Sequence, residues 1–370
     1  MVSQLQKLPT DESLGTLEPV AHFDGAMPTG VTVSHQGRIF INFPKWGDEV
    51  AFTVAEIRKG RPVAYPDEAF NRTNPNDLAA ALVSVQSVVV DPADRLWILD
   101  TGSPMFQPTQ YGGPKLVCVD LASDRVIKTI LFPQDVALPT TYLNDIRFDL
   151  RRGAEGMAFI TDSSDQGANG IIVVDLASGE SWRKLHDHPS TKAEALSSFR
   201  PIVEGRPLLE RQPDGKTNPI KMGSDGIAIS ADGSRLYYCP LASRHLYSVA
   251  IDALVDRSID DSAVAATVID EGDKGGGADG LETDAAGYIY ATNYEHNAIL
   301  RRRSGGEWET VVHDPRLLWP DTMSVAADGY LYVTANQLHR QAKYQKGKDL
   351  RQKPYTLFRI RIDAQPVLLR

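Results

Sequence analysis

Short apolar runs of strand-like length recur along the chain, separated by turns rich in Asp and Gly. In six segments an apolar strand is followed by such a turn and then by a second strand with an aromatic residue near its centre. These segments begin at Gly30, Ser87, Asp145, Gly226, Gly280 and Thr322. Asp-Gly and similar pairs supply the positive φ that a tight hairpin turn requires. The pattern therefore predicts six β-hairpins.

Further β-rich stretches lie between the hairpins, and we interpret them as two outer strands added to each pair. Amphipathic helical periodicity is scarce, and only Asn76–Leu82 and Thr191–Ser198 resemble helices. Repeated strands at a blade-sized period indicate radial repetition. We therefore predict an all-β fold, a six-bladed β-propeller with four-stranded blades whose ring the chain termini close.

The repeat also predicts the domain organisation. We expect an N-terminal extension over residues 1–20 and one propeller domain over residues 21–370, because a ring of blades forms a single cooperative body. The spacing between segments widens at residues 186–222, a stretch that contains Pro, Gly and charged residues. Such an insertion is equally consistent with a lid over a pocket and with a plain surface loop.

Composition narrows the class of partner. A formal net charge of -9 argues against nucleic acid, and no apolar run is long enough to span a bilayer. Cys118 and Cys239 both lie in apolar runs, which predicts buried free thiols. The first residues lack the basic and apolar regions of a signal peptide. We expect a cytoplasmic monomer whose partner is a small molecule.

One polar residue precedes each inner strand when the six segments are aligned on their turns. These residues are Thr29, Gln86, Asn144, Asp225, Asp279 and Asp321. The symmetry of a propeller would place them in a ring around its axis. Antiparallel pairing brings the ends of the second strands to the same face. The polar residues at those ends are Asp100, Asp162, Asn293 and Asn336.

Each of these residues could instead cap a local turn, because Asp and Asn often bind nearby backbone before a strand. As a set, they indicate a site. Three clustered carboxylates would repel one another unless a cation neutralised them or one kept its proton. An oxygen-only set suits a hard cation, Ca²⁺ before Mg²⁺. We expect no organic cofactor.

Several long motifs resemble the yellow/major royal jelly protein family. They include YLNDIRFD (Tyr142–Asp149), SDGIAISADGSRLYYCPLASRHLYSV (Ser224–Val249) and WPDTMSVAADGYLYVTANQLHR (Trp319–Arg340). The resemblance extends from about Phe23 to Ile362 and implies a six-bladed propeller. Insect members of this family are secreted and are linked to pigment metabolism, nutrition and the binding of biogenic amines.

A more distant similarity is to the gluconolactonase/senescence-marker propellers, and it implies a set of metal ligands. Asn144 and Asp279 match two of that group's metal-binding positions, and Asp225 replaces an Asn. The Glu that the group carries in its first blade is replaced here by Thr29 or Pro28, and Asp321 could compensate. The similarity therefore suggests Asn144, Asp225 and Asp279 as metal ligands.

Two classes of function fit these residues, and a purely structural role for the ring is a third reading. The first is a metal-assisted lactone hydrolase, or an isomerase or tautomerase, with Asp279 or Asp321 as general base. The alternative is a non-catalytic binder of a small amine or aromatic ligand. In either class we expect Trp319 to line the pocket with the remaining polar residues. The basic tract His339–Lys353 is interpreted as a solvated loop.

Overall fold

Six antiparallel four-stranded sheets are arranged as the blades of a propeller in the computed structural model, which describes residues 13–195 and 197–370. Blade one consists of Val31–Val33, Ile39–Asn42, Val54–Arg58 and Arg61–Ala64. Blade two consists of Val85–Val90, Arg95–Asp100, Lys115–Asp120 and Arg125–Leu131. Blade three consists of Leu143–Asp149, Met157–Asp162, Gly170–Asp175 and Ser181–Lys184. Blade four consists of Ser224–Ile229, Arg235–Pro240, His245–Ala250 and Ile269–Asp273. Blade five consists of Leu281–Thr283, Ile289–Asn293, Ala298–Arg302 and Trp308–His313. Blade six consists of Pro320–Val325, Tyr330–Ala335, Tyr355–Arg361 and Glu18–Phe23. The first strand of each set is the inner strand. The predicted fold is confirmed.

The two ends of the chain share blade six. Glu18–Phe23 pairs antiparallel with Tyr355–Arg361, so an N-terminal strand completes a sheet built from C-terminal strands. This pairing closes the ring, as predicted. The ring therefore begins inside the stretch that we assigned to an extension over residues 1–20, and residues 1–12 of that stretch lie outside the described residues.

Helical structure is limited to short pieces in the described part of the chain. The α-helices are Ile251–Val255 and Asp261–Ala265, and the 3-10 turns are Pro104–Phe106, Pro189–Thr191, Leu338–Arg340 and Ala342–Tyr344. The predicted helix at Asn76–Leu82 was wrong, because that stretch forms turns that Asn74 and Asp77 stabilise. In the predicted helix Thr191–Ser198, the described residues 191–195 and 197–198 form no α-helix. No helix in residues 13–195 and 197–370 has the length and apolarity that crossing a membrane requires.

Alternation along each strand separates the core from the axis. On the inner strand of blade three, Ile146 and Phe148 pack between blades, and the Phe148 ring lies 5.4 Å from Trp97 of blade two. Arg147, between them in sequence, donates to the carbonyl of Leu281 in blade five at 2.7 Å. Successive side chains point to opposite faces of a strand. Apolar positions therefore hold the blades together while polar positions face the axis.

The insertion at residues 186–222 folds over one end of the ring. It contains two small hairpins, Ile202–Val203 with Arg206–Pro207 and Leu209–Arg211 with Thr217–Pro219. Apolar side chains of the insertion, Phe199 and Met222 among them, share a core cluster with Trp319. The described part of the insertion therefore packs into the core cluster that contains Trp319. Cys118 and Cys239 are buried and unpaired, as predicted.

Candidate active site at the propeller axis

The six aligned polar residues are all buried in the ring, and they lie at or just before the first residues of the inner strands. Four inner strands begin with an irregular register, between Val85 and Ser87, Leu143 and Ile146, Ser224 and Ile227, and Pro320 and Met323. The residues that lie inside these interruptions include Gln86, Asn144, Asp225 and Asp321. A bulge leaves a residue outside the ladder and turns its side chain. The bulges therefore position these side chains for contact across blades.

Glycines allow adjacent inner strands to approach closely at the same level. A Cβ on Gly226 would lie 2.6 Å from the carbonyl oxygen of Asp279, and one on Gly280 would lie 2.3 Å from that of Asp321. No larger residue fits without moving the backbone of the neighbouring blade. Gly226 and Gly280 are thus required for the close packing of neighbouring inner strands, and neither lies in a hairpin turn.

Asn144, Asp225 and Asp279 form a continuous chain of contacts across three blades. Asn144 Nδ2 donates to Asp225 Oδ1 at 2.5 Å. Asp225 and Asp279 share a hydrogen bond between their carboxyl groups. Trp319 Nε1 donates to Asp279 Oδ2 at 2.6 Å. Four predicted site residues therefore lie together.

Asp321 completes the acidic group on the blade-six side. Its Oδ2 accepts a hydrogen bond from Asn336 Nδ2 at 2.6 Å, and its Oδ1 accepts one from Thr322 Oγ1 at 3.0 Å. The charge of Asp279 acts on Asp321 and on Asp225, which places all three carboxyl groups in one electrostatic cluster.

Burial controls the protonation of this acidic cluster. Burial is the largest cause that raises the pKa of Asp225 well above its usual range, followed by the charge of Asp279. Burial likewise raises the pKa of Asp321 far above normal. It raises the pKa of Asp279 to about 6, while hydrogen bonds from Trp319 and Asp225 oppose the rise. With a pKa of about 6, Asp279 is largely ionised at neutral pH, and burial favours the protonated forms of Asp225 and Asp321.

The suggested metal ligands do not fit a bound ion as they are arranged. The amide nitrogen of Asn144 faces Asp225, and Asp225 is bonded to Asp279, so their donor atoms face one another instead of a common centre. Within residues 13–195 and 197–370, no group of three or more His, Cys, Asp and Glu side chains is placed to hold a metal ion. The carboxyl groups of Asp225 and Asp279 bond each other instead.

The blade-one and blade-two side of the ring is neutral. Thr29 Oγ1 donates to the backbone oxygen of Gln86 at 3.2 Å and accepts from Asn42 Nδ2 at 2.8 Å. The side chain of Gln86 accepts from the hydroxyl of Tyr142 at 3.1 Å. Thr29 is thus occupied in joining two blades, and Gln86 is tied to the aromatic lining above the ring.

The residues at the second-strand ends have local roles. Asp100 accepts from the backbone nitrogens of Val83 and Ser84 at 2.7 and 2.9 Å and lies 2.9 Å from Lys115 Nζ. Asp162 accepts from Tyr142 N at 2.9 Å and pairs with Arg183 at 2.9 Å. Both carboxylates stabilise the loops that lead into inner strands. Asp100 and Asp162 are therefore structural residues and do not belong to the acidic cluster.

The two asparagines at second-strand ends differ from each other. Asn293 bonds the backbone of Gly275 and His296 and stays within its own blade. Asn336 donates both to Asp321 and to the carbonyl of Pro28. Asn336 therefore supports the acidic cluster, whereas Asn293 caps a loop.

Aromatic side chains pack beside the acidic cluster. Tyr294 stacks on Trp319 with ring centroids 4.3 Å apart and an angle of 8° between planes. Phe106 stacks on Tyr142 at 4.5 Å, and Trp46 Nε1 donates to the Tyr142 hydroxyl at 2.8 Å. His339 stacks on Trp319 at 5.9 Å, so these rings form a packed aromatic wall beside the acidic cluster.

The basic tract His339–Lys353, which we interpreted as a solvated loop, also contributes buried side chains near the acidic cluster. Tyr344 is buried, and the charge of Asp279 adds to burial in raising its pKa. The tract packs against the core at the axis, because Tyr344 joins the cluster that contains Trp319 and His339 stacks on Trp319 at 5.9 Å. The interpretation as a solvated loop considered only the charged residues of the tract. The aromatic residue Tyr344 within it was the signal that could have indicated a buried segment.

A cavity of about 370 Å³ lies above the aromatic lining, bordered by Trp46, Phe106 and Lys343. A larger cavity of about 580 Å³ lies between the outer strands of blades six and one, lined by residues such as Phe23 and Phe52. None of the six ring residues lines either cavity, but Phe106 at the border of the smaller one stacks on Tyr142, whose hydroxyl binds the ring residue Gln86. The candidate site is therefore the acidic cluster at the axis together with the smaller cavity.

On the far side of the acidic cluster, a second buried group carries its own counter-charge. Asp145 accepts from Ser87 Oγ at 2.6 Å and pairs with Arg147 at 2.8 Å. Arg147 lies 3.5 Å from Glu282. Sequence reasoning missed Asp145 although it follows Asn144 directly, because only one residue per blade was considered.

Comparison with known proteins relates the chain to one family. Residues 83–366 match the family described as major royal jelly protein. Protein yellow of Drosophila erecta is 29% identical over 251 residues, which is 63% of this chain and 42% of that protein. Major royal jelly protein 1 of Apis mellifera is 28% identical over 193 residues, covering 50% of this chain and 40% of that protein. The matches thus span less than half the length of these relatives.

Solved structures show the same architecture at low identity. A calcium-binding protein, regucalcin, from Agrobacterium tumefaciens superposes with a TM-score of 0.56 at 15% identity. The superposition covers 94% of this chain and 95% of that structure. This likeness establishes the fold.

Proposed function

The chain belongs to the major royal jelly protein family, and we propose that its axial pocket catalyses a proton-transfer isomerisation of a small planar substrate, as a tautomerase does. The observation that carries the proposal is the Asp225–Asp279 pair. One carboxyl group keeps its proton, and the other has a pKa of about 6. A base and an acid thus lie side by side, and both are matched to proton transfer near neutral pH.

Each side chain has a definite part in this chemistry. Asp279 removes a proton from the substrate carbon, while Trp319 Nε1 holds the carboxylate in position. Asp225 donates its proton elsewhere on the substrate, so the bonds rearrange without a net change in composition. Asn144, bonded to Asp225, orients that acid. Asp321, protonated and held by Asn336, limits the negative charge near the base.

The aromatic lining supports a planar substrate. Trp46 and Phe106, whose rings stack at 5.4 Å, border the 370 Å³ cavity, and Tyr142 stacks on Phe106 on the side of the ring residue Gln86. Quinone-like compounds derived from catechols have this shape, and they tautomerise by moving a proton from carbon.

Substrate screening with a matched variant tests the proposal. Catechol-derived aminochromes and simple lactones are mixed with the protein, and turnover is followed by absorbance and by deuterium exchange from solvent. We expect isomerisation of the quinonoid compounds, reduced by about 10² to 10⁴ in Asp279→Asn. Asp135→Asn makes the same chemical change at an exposed site and should keep full activity. Equal turnover in wild type and Asp279→Asn would refute the role of Asp279.

A second candidate is a non-catalytic binder of a small aromatic amine. The single ionised carboxylate beneath stacked rings favours it, because ammonium groups bind carboxylates and ring faces. Calorimetry with tyramine tests this function. Tight binding of tyramine without turnover of any quinonoid compound would favour the binder. A lactone hydrolase that depends on Ca²⁺ has less support, because the residues suggested for the ion bond one another.

A further inference from the structure

Lys343 occupies a distinctive place at the mouth of the axis. It lies in the 3-10 turn Ala342–Tyr344, and its Nζ is 5.3 Å from the centroid of the Phe106 ring and 5.0 Å from that of Tyr344. The side chain is partly buried. It borders the cavity of about 370 Å³ above the aromatic lining and a second cavity of about 260 Å³ beside the insertion. The ammonium group therefore stands where the two cavities adjoin.

Among the described residues, Lys343 forms no ion pair with a carboxylate within 4.0 Å, whereas the nearby arginines do. Arg351, which borders the same cavity, is neutralised twice, by Asp48 at 2.7 Å and by Asp349 at 2.6 Å. Glu210 and Asp165, in the neighbouring cavity, act on Lys343 only at longer range. Lys343 thus offers an uncommitted positive charge to the 370 Å³ cavity.

The charge persists despite partial burial. Burial is the largest influence on the pKa of Lys343 and lowers it, but Tyr344 and then Glu210 raise it above its ordinary value. Aromatic faces on two sides hold the ammonium group without consuming its charge. Lys343 is therefore an ammonium ion at neutral pH.

Tyr344 connects this cation to the acidic cluster. Its side chain bonds Lys343, and its pKa responds to the charge of Asp279. Tyr344 therefore lies between two opposite charges, that of Asp279 at the axis and that of Lys343 at the border of the 370 Å³ cavity.

We infer that Lys343 is an anion-binding subsite, and that the pocket takes small planar molecules that carry a carboxylate group. The inference rests on the proposed function for its location, because the planar part of the ligand is assigned to the aromatic lining. The substrate's carboxylate pairs with Lys343, and its reacting carbon lies toward Asp279. Lys343 is then a residue that determines specificity, and it takes no part in proton transfer.

The test compares two probes of equal shape and different charge. Indole-2-carboxylate and indole-2-carboxamide are titrated into the full-length protein by calorimetry. We expect the carboxylate to bind at least tenfold more tightly to wild type, an advantage that added KCl reduces. Lys343→Met should lower the ratio of the two affinities below threefold, and Lys343→Arg should keep most of it. Lys348→Met, at an exposed position of the same tract, should behave as wild type.

Three results would overturn the inference: equal affinities in wild type, a preserved ratio in Lys343→Met, or binding of neither probe. Circular dichroism and melting curves of Lys343→Met confirm that a changed ratio does not arise from unfolding. The proposed isomerase can fail separately. If no quinonoid compound is turned over while the charge preference depends on Lys343, the anion subsite stands and the catalytic role of Asp279 falls.

Discussion

Two sets of buried carboxylates lie at the same end of the blades and differ in their partners. Asp100 and Asp162, at the ends of second strands, are paired with Lys115 and Arg183 and bonded to local backbone. Asp225, Asp279 and Asp321, at the axis, have no cation among the influences that set their pKa values. The described residues thus neutralise one set with bases and the other with protons.

The difference teaches how to separate architecture from chemistry in such a ring. A buried carboxylate with a cation and several backbone donors holds a loop in place, and its charge is fully used. A buried carboxylate without a cation is costly to the fold, and it can exchange a proton with a ligand. Burial alone does not distinguish the two sets.

The largest expected effect is on stability, at the paired set. Lys115→Met leaves the carboxylate of Asp100 buried and unpaired, because both side chains are fully buried. We expect a loss of about 3–5 kcal/mol in the free energy of unfolding, measured with urea. Lys216→Met breaks an exposed pair with Asp214 and should cost less than about 1 kcal/mol. Similar losses in both variants would show that the Lys115 pair is not a structural element.

A substitution in the axial set, Asp225, Asp279 and Asp321, should increase the free energy of unfolding instead of lowering it. The pKa of Asp279 is raised from 3.8 to about 6 by burial, so the folded state binds more protons than the unfolded state between these values. Stability therefore falls as pH rises from about 4 to about 6. Asp279→Asn removes this cost and should stabilise the protein by up to about 3 kcal/mol at pH 7.5, with no gain below about pH 4. Destabilisation at pH 7.5 would identify Asp279 as a structural residue.

A smaller effect is expected in the pH dependence of turnover. The base form of Asp279 exists above its pKa of about 6, so activity should fall about tenfold per pH unit below that value. Trp319→Phe removes a hydrogen bond that lowers this pKa, and the midpoint should move to higher pH. A midpoint unchanged by Trp319→Phe, or a profile flat through pH 6, would contradict the assignment of Asp279 as the base.

The smallest effect should come from metal removal. Because the acidic cluster is balanced by protons, a chelator should change neither the turnover of the quinonoid compounds nor the melting temperature. Scanning calorimetry and a rate assay, each with and without EDTA and with added Ca²⁺, measure this. A calcium-dependent rise in the melting temperature that is lost in Asp225→Asn would restore the metal hypothesis.

Local sequence determined the fold and the register of the ring. Hairpins repeated six times can bury their apolar faces only against one another, which makes a closed propeller the expected result. The same register placed Asn144, Asp225, Asp279 and Asp321 at one level, because each lies within two residues of the start of an inner strand. The prediction succeeded for these residues because a strand has a fixed repeat and a propeller has rotational symmetry.

Only the tertiary structure decided which of these polar residues had charged partners. The Asp100–Lys115 pair lies within one sheet, yet Asp and Lys residues are common enough that no pattern indicates such a pair. The contacts of Trp46, Phe106 and Lys343 with the axis join loops from different blades, and loop conformation follows no repeat. Burial and neighbouring charge set the protonation of Asp279, and both depend on atoms far away in the chain. The sequence therefore determined where the site lies, and the packing of the blades and loops decided its chemistry.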